Sequence, residues 1–158
     1  MVRPVNVHDI EKILTIYSYY VKNSHATFEL VVPTLKDFTA KISTADYKWL
    51  VYEEDSEVLG YAYATRWKMR AAYDKTVETS IYLDNTHHGK GIGKKLYQSL
   101  IEELTALKMH AIIGGISLPN EPSIALHEKL GFEKIGAFKE VGYKFDRWID
   151  VGYWQLIL

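Results

Sequence analysis

Cysteine is absent from this chain of 158 residues, and long apolar runs are absent as well. Without cysteine the chain has no disulfides, no thiolate nucleophiles and no thiolate metal ligands. No stretch approaches the ~18 consecutive apolar residues of a membrane-spanning helix. The first ten residues carry charges and a proline where a secretory signal is apolar. We therefore expect a cytoplasmic protein that does not enter a membrane.

A surplus of positive charge is also lacking, since 19 basic and 20 acidic side chains give a net charge of -1. So balanced a chain cannot neutralise many phosphates, and we expect no nucleic-acid partner. The 47% of hydrophobic and 25% of charged residues are ordinary for a globular protein, which excludes disordered and fibrous classes. This length and composition predict one domain over residues 1–158.

The spacing of apolar residues predicts a mixed α/β fold. Helical spacing predicts helices at 10–21, 34–42, 92–107 and 122–130, with a capping box of Asn6 and Asp9 before the first and Thr34 and Asp37 as the cap of the second. Alternating or β-branched runs predict strands at 2–5, 47–54, 57–67, 76–83 and 110–118, with two more in the last part of the chain. The predicted order is β-α-α-β-β-β-α-β-α-β-β, with helices on both faces of a mixed sheet.

A glycine-rich turn, HHGKGIGKKL at residues 87–96, joins a predicted strand to a predicted helix. Such a junction can hold phosphate, because the first N–H groups of a helix lack partners and carry the positive end of its dipole. The Walker pattern does not match, since it requires glycine at 88 and Ser or Thr at 95. The dinucleotide pattern G-x-G-x-x-G fails from either Gly89 or Gly91. The alternative is a turn without function.

A third phosphate pattern does match residues 88–93, and here the chain resembles the Gcn5-related N-acetyltransferases (GNAT), which bind the pyrophosphate of coenzyme A on such a turn. His88 departs from the Gln or Arg of that family. The stretch NEPSIALHEKLGF at 120–132 resembles the second family signature, with His127 at a position where the family has Tyr. Further stretches resemble the phosphinothricin and methionine sulfoximine N-acetyltransferases: ATFE at 26–29, WKMRAAYDKTVETSIYL at 67–83 and RWIDVGYWQLIL at 147–158.

The resemblance runs nearly end to end and implies the GNAT fold, with a mostly antiparallel sheet of about seven strands. It implies acetyl-CoA as co-substrate, no metal, and a homodimer. The residues that it assigns to coenzyme A are Ile81, Tyr82, Leu83, His88, Gly89, Lys90, Gly91, Ile92, Gly93, Lys94, Asn120 and Lys129. Main-chain groups of residues 81–83 would bind pantetheine where that strand splays from the strand at 110–118, and one N–H would polarise the thioester oxygen. The alternative for the three lysines is plain solvation.

Acetyl transfer to an amine requires a proton acceptor and a proton for the leaving thiolate. Glu78 is the candidate base, because partial burial beside Val77 and Ile81 would raise its pKa toward the working pH. His127 is the candidate for the thiolate, either as direct donor or by ordering a water. The alternatives are a solvent-facing glutamate and a histidine that fills space against the sheet.

An amino-acid acceptor brings a carboxylate or phosphinate, which Arg70 would pair with through its planar guanidinium. Phe28 and Tyr73 would then wall the side-chain pocket. The alternative for the segment at 65–75 is a solvated loop or a dimer contact.

The sequence therefore predicts an N-acetyltransferase for the α-amine of a small amino acid or analogue, of the phosphinothricin, methionine sulfoximine or methionine sulfone type. Two alternatives stay open: acetylation of a protein, peptide or polyamine amine, and a non-catalytic acyl-CoA sensor. Two hydrolase patterns fail, since Pro119 replaces the last glycine of G-x-S-x-G and the stretch at 127–131 lacks the second histidine of H-E-x-x-H.

Overall fold

The computed structural model describes residues 1–158, and its strands form one seven-stranded sheet. The strands are β1 (Val2–Pro4), β2 (Leu50–Glu54), β3 (Glu57–Arg66), β4 (Thr76–Leu83), β5 (Ala111–Ser117), β6 (Glu133–Lys144) and β7 (Arg147–Ile157). The helices are α1 (Ile10–Asn23), α2 (Leu35–Ser43), α3 (Ile92–Ala106) and α4 (Glu121–Lys129), with short 3-10 turns at Val7–Asp9 and Ala71–Tyr73. This order confirms the predicted fold class and sequence of elements.

The sheet has the strand order β1-β2-β3-β4-β5-β7-β6, and every neighbouring pair is antiparallel except β4 and β5. That parallel pair is hydrogen-bonded only from Thr76 opposite Ala111 to Glu78 opposite Ile113. Beyond this point β4 stays paired with β3 as far as Leu83, and β5 stays paired with β7 as far as Ser117. The middle of the sheet therefore opens between β4 and β5, where the resemblance implied a splay.

Hydrophobic side chains fill both faces of the sheet. Leu96, Leu100 and Leu104 of α3 recur on one side of the helix and pack with Ile112 of β5. On the other face, Ile13 of α1 and residues of α2 pack with Val51 of β2 and with the aromatic side chains of β3. Leu107 keeps the apolar spacing of α3 but lies past its last residue and is 50% exposed, so the helix is shorter than the spacing predicted.

Side-chain caps fix where several helices begin. Asn6 and Asp9 form the predicted capping box, although it closes the 3-10 turn that precedes α1. Thr34 accepts a hydrogen bond from the N–H of Asp37 at the start of α2. No helix is both long and apolar enough to cross a membrane, and no group of three or more His, Cys, Asp or Glu side chains could together hold a metal ion.

Candidate active site

A cavity of about 630 Å³ lies at the opening between β4 and β5. Residues 79–83 of β4 and residues 115–117 of β5 form its sheet walls. Residues 119–123 at the start of α4 and residues 24–26 after α1 line it as well, together with Tyr20, His88 and His127. The cavity thus brings together predicted residues from both family signatures.

The glycine turn presents bare main chain near the start of α3. Gly89 and Gly91 have φ values of +79° and +73°, which other residues adopt only with strain. Nothing lies within 4 Å of the position that a Cβ would take at either glycine. Gly91 is the N-cap of α3 and offers no side-chain cap, so the first N–H groups of the helix remain available to an anion.

Gly93 has a different reason for lacking a side chain. It is buried, and a Cβ there would lie 3.3 Å from Cδ1 of Leu83 and 3.4 Å from Cδ2 of Leu126. Its smallness lets α3 pack closely against β4 and α4. The open main chain that was predicted for three glycines is therefore found at two of them.

Beyond Glu78, the side of β4 that faces β5 has no strand partner. Ile81, Tyr82 and Leu83 line the cavity along this free edge. The hydroxyl of Tyr20 donates a 2.6 Å hydrogen bond to the carbonyl of Leu83. Burial raises the pKa of Tyr20 to about 12, so the hydroxyl keeps its proton. The main-chain groups that remain free on this edge are available to a ligand.

Asn120 and the three predicted lysines occupy different positions relative to the cavity. Asn120 lines it, and its Oδ1 caps α4 by accepting from the N–H of Ser123 at 3.2 Å, which leaves its Nδ2 group for a ligand. Lys90 and Lys94 are exposed on the turn and on the first turn of α3. Lys129 is the last residue of α4, two residues after His127, and its side chain does not line the cavity.

His127 belongs to a series of hydrogen bonds on the α3 and α4 side of the sheet, in which neither ring nitrogen is left free. Its Nδ1 lies 2.8 Å from the carbonyl of Ser123, which can only accept, so Nδ1 carries the proton. Its Nε2 then accepts from the hydroxyl of Tyr97 at 3.1 Å, and Tyr97 lies 2.6 Å from Oγ1 of Thr79. Burial lowers the pKa of His127. The ring is therefore neutral, and both of its nitrogens have protein partners.

Glu78 has no such partners. It is the last residue of β4 that pairs with β5, it is half-buried, and it makes no hydrogen bond or ion pair. Burial raises the pKa of its carboxyl group. Its Oε1 lies 3.2 Å from the position of a Cβ on Gly115, and the ring of Tyr153 lies 3.3 Å from the same position. Trp67 packs edge-on against Tyr153, with ring centroids 5.9 Å apart.

Glu78 and His127 approach the opening from opposite faces of the sheet. Gly114 and Gly115 are neighbours on β5, so their substituent positions point to opposite faces. A Cβ on Gly114 would lie 2.6 Å from Nε2 of His127, whereas a Cβ on Gly115 would meet Glu78. A group held in the opening can therefore be reached by a carboxylate from one side and by the His127 chain from the other.

Comparison with known proteins identifies the family. A family model described as an acetyltransferase (GNAT) domain matches residues 2–152. The chain belongs to the GNAT acetyltransferases. It is 36% identical to a phosphinothricin N-acetyltransferase of Streptomyces viridochromogenes, over 98% of this chain and 85% of that relative. It is 37% identical to an L-methionine sulfoximine/L-methionine sulfone acetyltransferase of Pseudomonas aeruginosa, over 99% of this chain and 94% of that relative.

A crystal structure also matches this GNAT chain. It shows a phosphinothricin acetyltransferase of Sinorhizobium meliloti in complex with acetyl-CoA, with a TM-score of 0.95 and 38% identity. The match covers 100% of this chain and 88% of the other. The prediction of an N-acetyltransferase with acetyl-CoA as co-substrate is confirmed. The bare glycine turn and the cavity beside it fit an extended, phosphate-bearing co-substrate.

The predicted acceptor residues of this GNAT enzyme lie outside the cavity. Arg70 and Tyr73 are exposed in the connection between β3 and β4, where the ammonium of Lys68 lies 5.6 Å from the Tyr73 ring. Phe28 packs against Gly142 of β6. None of these three side chains lines the cavity, and the structure does not bring them together.

Several residues of the site carried no signal in the sequence. Among the residues that line the cavity or contact its predicted catalytic groups without having been predicted are Tyr20, His25, Thr79, Tyr97, Ser117 and Tyr153. Tyr20 and Tyr97 lie at the helical spacing of core residues, and an aromatic in a strand is equally ordinary. Only the tertiary structure separates these residues from the rest of the core.

Proposed function

We propose that this enzyme moves the acetyl group of acetyl-CoA to the α-amine of a small amino acid or analogue of the phosphinothricin, methionine sulfoximine or methionine sulfone type. The observation that carries the proposal is Glu78, a half-buried carboxylate without a partner at the point where β4 and β5 separate. Relatives named for these acceptors match the chain almost end to end. Residues 1–158 would then act as one catalytic domain.

In this proposal Glu78 is the general base. An α-ammonium must lose a proton before its nitrogen can attack, and a carboxylate whose pKa is raised accepts that proton more readily near neutral pH. Acetyl-CoA supplies the thioester whose carbonyl carbon bonds to the nitrogen while its carbon–sulfur bond breaks. The aromatic side chains of Tyr153 and Trp67 beside Glu78 keep this position partly out of water.

The co-substrate would bind along the opening. The main chain of residues 88–93 and the N-terminus of α3 would hold the pyrophosphate, with charge from Lys90 and Lys94. The Nδ2 group of Asn120 and the free edge of β4 at residues 81–83 would bind the pantetheine arm. Lys129 would contribute only charge at a distance, because its side chain does not line the cavity.

For His127 we propose the indirect one of two roles. Direct donation to the thiolate would require an N–H that is free or an imidazolium, but Nδ1 is bonded to Ser123 and Nε2 accepts from Tyr97. Burial also lowers its pKa and disfavours the charged ring. His127 would therefore fix the Tyr97 hydroxyl, whose remaining lone pair would hold an ordered water through which the thiolate is protonated.

The acceptor's anionic group would be met by Arg70. The connection that carries Arg70 begins at Trp67, which packs on Tyr153 beside Glu78. Movement of this exposed segment toward Glu78 would bring the guanidinium to the acceptor, with Tyr73 beside it. Phe28 would wall the opposite side, from its position against β6.

We also propose a homodimer formed through the last two strands. Large hydrophobic side chains on the β6 and β7 hairpin are at least half exposed: Ile135, Phe138, Val141, Tyr143, Phe145, Trp148 and Ile157. Such a surface is typical of an interface between protein chains. Light scattering of the purified protein measures the oligomeric state, and a Trp148→Ser variant should shift it toward monomer. A monomeric wild type would contradict this part of the proposal.

A thiol-release assay with acetyl-CoA tests the function. We expect release with methionine sulfone, methionine sulfoximine or phosphinothricin, and little with polyamines or with peptides that carry a free N-terminus or lysine. Release only with proteins, peptides or polyamines would instead support an acetyltransferase for those amines. No release with any amine, together with coenzyme A binding that Glu78→Gln leaves intact, would support the acyl-CoA sensor. Calorimetry with coenzyme A measures that binding.

A further inference from the structure

His25 lies just after α1 and lines the cavity, although no step described so far uses it. Its Nδ1 lies 2.9 Å from Oγ of Ser117, at the end of β5. The hydroxyl of Ser117 also donates a hydrogen bond to the carbonyl oxygen of His25 itself. Residue 25 is thus held to β5 by its ring and by its main chain.

These two contacts determine where the proton of the ring sits. A carbonyl only accepts, so the single proton of the Ser117 hydroxyl points to the carbonyl of His25. Nδ1 must then be the donor of the other contact, and Nε2 carries a lone pair. Nε2 has no protein partner, and because no buried side-chain nitrogen or oxygen is without a partner, this atom reaches solvent. His25 therefore presents a free hydrogen-bond acceptor.

That acceptor lies on the same face of the sheet as Glu78. Gly115, which contacts Glu78, and Ser117, which contacts His25, are two residues apart on β5 and so point to the same side. Their spacing along the strand is about 7 Å. Glu78 and His25 are thus two hydrogen-bond acceptors with free lone pairs. They lie beside nearby positions of one strand, at the opening in the sheet.

The surroundings of His25 keep its ring neutral. Burial lowers its pKa, and the positive charges of Lys144 on β6 and Arg147 on β7 lower it further. Lys144 is buried and donates to the carbonyls of Ser24 and Thr27 at 2.7 and 2.8 Å, which fixes the segment that carries His25. A neutral imidazole in a cationic setting accepts a hydrogen bond but is a poor base.

We propose that Nε2 of His25 accepts a hydrogen bond from the amine of the acceptor. This bond orients the lone pair of the amine nitrogen toward the thioester carbon. This inference rests on the proposed acetylation of an α-amine. Of the three protons of the ammonium, Glu78 takes one, one balances the departing thiolate, and one stays on the new amide nitrogen. His25 holds the proton that stays while the nitrogen–carbon bond forms and the carbon–sulfur bond breaks.

Two matched variants separate this role from a structural one. An asparagine at 25 places its amide near Nδ1 and keeps a partner for Ser117, but it has nothing at the position of Nε2. A glutamine reaches the position of Nε2 and gives up the Nδ1 contact. We expect His25→Asn to lower kcat/KM about 10-fold and His25→Gln to retain it within about 3-fold, in thiol release with methionine sulfone and saturating acetyl-CoA.

The binding of coenzyme A, measured by calorimetry, should be unchanged in both variants. The reverse ranking, with His25→Asn fully active and His25→Gln impaired, would show that His25 only ties residue 25 to β5 and would overturn the proposal. Equal activity of wild type and both variants would overturn it as well. A wild type that acetylates no amino acid would instead overturn the proposed function, and this inference with it.

Discussion

The polar side chains on the two faces of β5 differ in whether they have hydrogen-bond partners. On the side of α3 and α4, His127 is bonded through both nitrogens, to Ser123 and to Tyr97, and Tyr97 continues to Thr79. On the other side, Glu78 has no partner and His25 leaves Nε2 free. We call the first face closed, because His127 has a protein partner at both nitrogens. We call the second face open, because its polar groups are free to bond a ligand.

We propose that this difference marks where the reaction takes place. The free polar atoms of Glu78 and His25 reach solvent, because no buried side-chain nitrogen or oxygen is without a partner, so a ligand in the opening can bond to them. The open face therefore suits the acceptor amine. The closed face suits a rigid wall that positions the thioester and supplies a proton at the end of the reaction.

The largest effect is expected from Glu78→Gln. Loss of the base should lower kcat/KM about 100-fold or more. The variant should also unfold at a higher temperature at neutral pH, because burial raises the pKa of Glu78 and so penalises the charged carboxylate in the folded state. The penalty is present above the folded pKa and vanishes below the ordinary value of 4.5. Thermal unfolding at several pH values measures this, and a variant that is less stable at pH 7 would contradict it.

Gly114→Ala and Gly115→Ala form a matched pair on the two faces. A methyl group on Gly114 would lie 2.6 Å from Nε2 of the buried His127, and overpacking of this kind costs about 1–3 kcal/mol of stability. On Gly115 it would lie 3.2 Å from Oε1 of Glu78, which has room to move. We expect Gly114→Ala to lower the free energy of unfolding, measured with denaturant. We expect Gly115→Ala to change the kinetics of acetyl transfer. Similar losses of stability in both variants would remove the contrast.

Tyr97→Phe tests how much the hydrogen bonds through Tyr97 stabilise the closed face. The change removes the donor to Nε2 of His127 and the partner of Thr79, which should cost about 1–2 kcal/mol of stability. Tyr52→Phe is the control, because Tyr52 is also buried in that core but bonds only to Glu54, at 3.3 Å. Denaturant unfolding compares the two variants. Equal costs would show that the chain through Tyr97 adds nothing beyond an ordinary hydroxyl.

The smallest effect is expected from Gly91→Ala in the glycine turn. An alanine at a φ of +73° is strained, so the turn should open and the Kd for coenzyme A should rise about 3- to 10-fold. Gly136→Ala is the control, since that glycine lies on β6, has open space around it and lacks a positive φ. Calorimetry measures both variants. Unchanged binding by Gly91→Ala would show that the turn does not need its left-handed conformation.

The fold was largely predictable because its signals are local. The caps at Asn6 and Thr34, the apolar spacing of α3 and the alternation of β4 each depend on residues close in sequence. The two departures are also local. The capping box closes a 3-10 turn before α1, and Leu107 lies past the end of α3, because the ends of helices depend on a few weak bonds.

The site was predictable only in part. Glu78, His127 and the glycine turn were predicted from motifs and from the chemistry of acetyl transfer. In the structure His127 and His88 line the cavity, and Glu78 lies beside Gly115, which lines it as well. The partners of those residues were not identified. Tyr97 lies 30 residues from His127, and Ser117 lies 92 residues from His25, so no local pattern connects them.

By itself the sequence determined the order of helices and strands, because caps and apolar spacing are local, and its motifs resembled one family and predicted a phosphate-binding turn at residues 88–93. Only the tertiary structure decided which face of the sheet each polar group occupies. Adjacent residues of a strand point to opposite sides, and which helix covers each side depends on how the chain returns. That choice bonded both nitrogens of His127 and left Glu78 and Nε2 of His25 open.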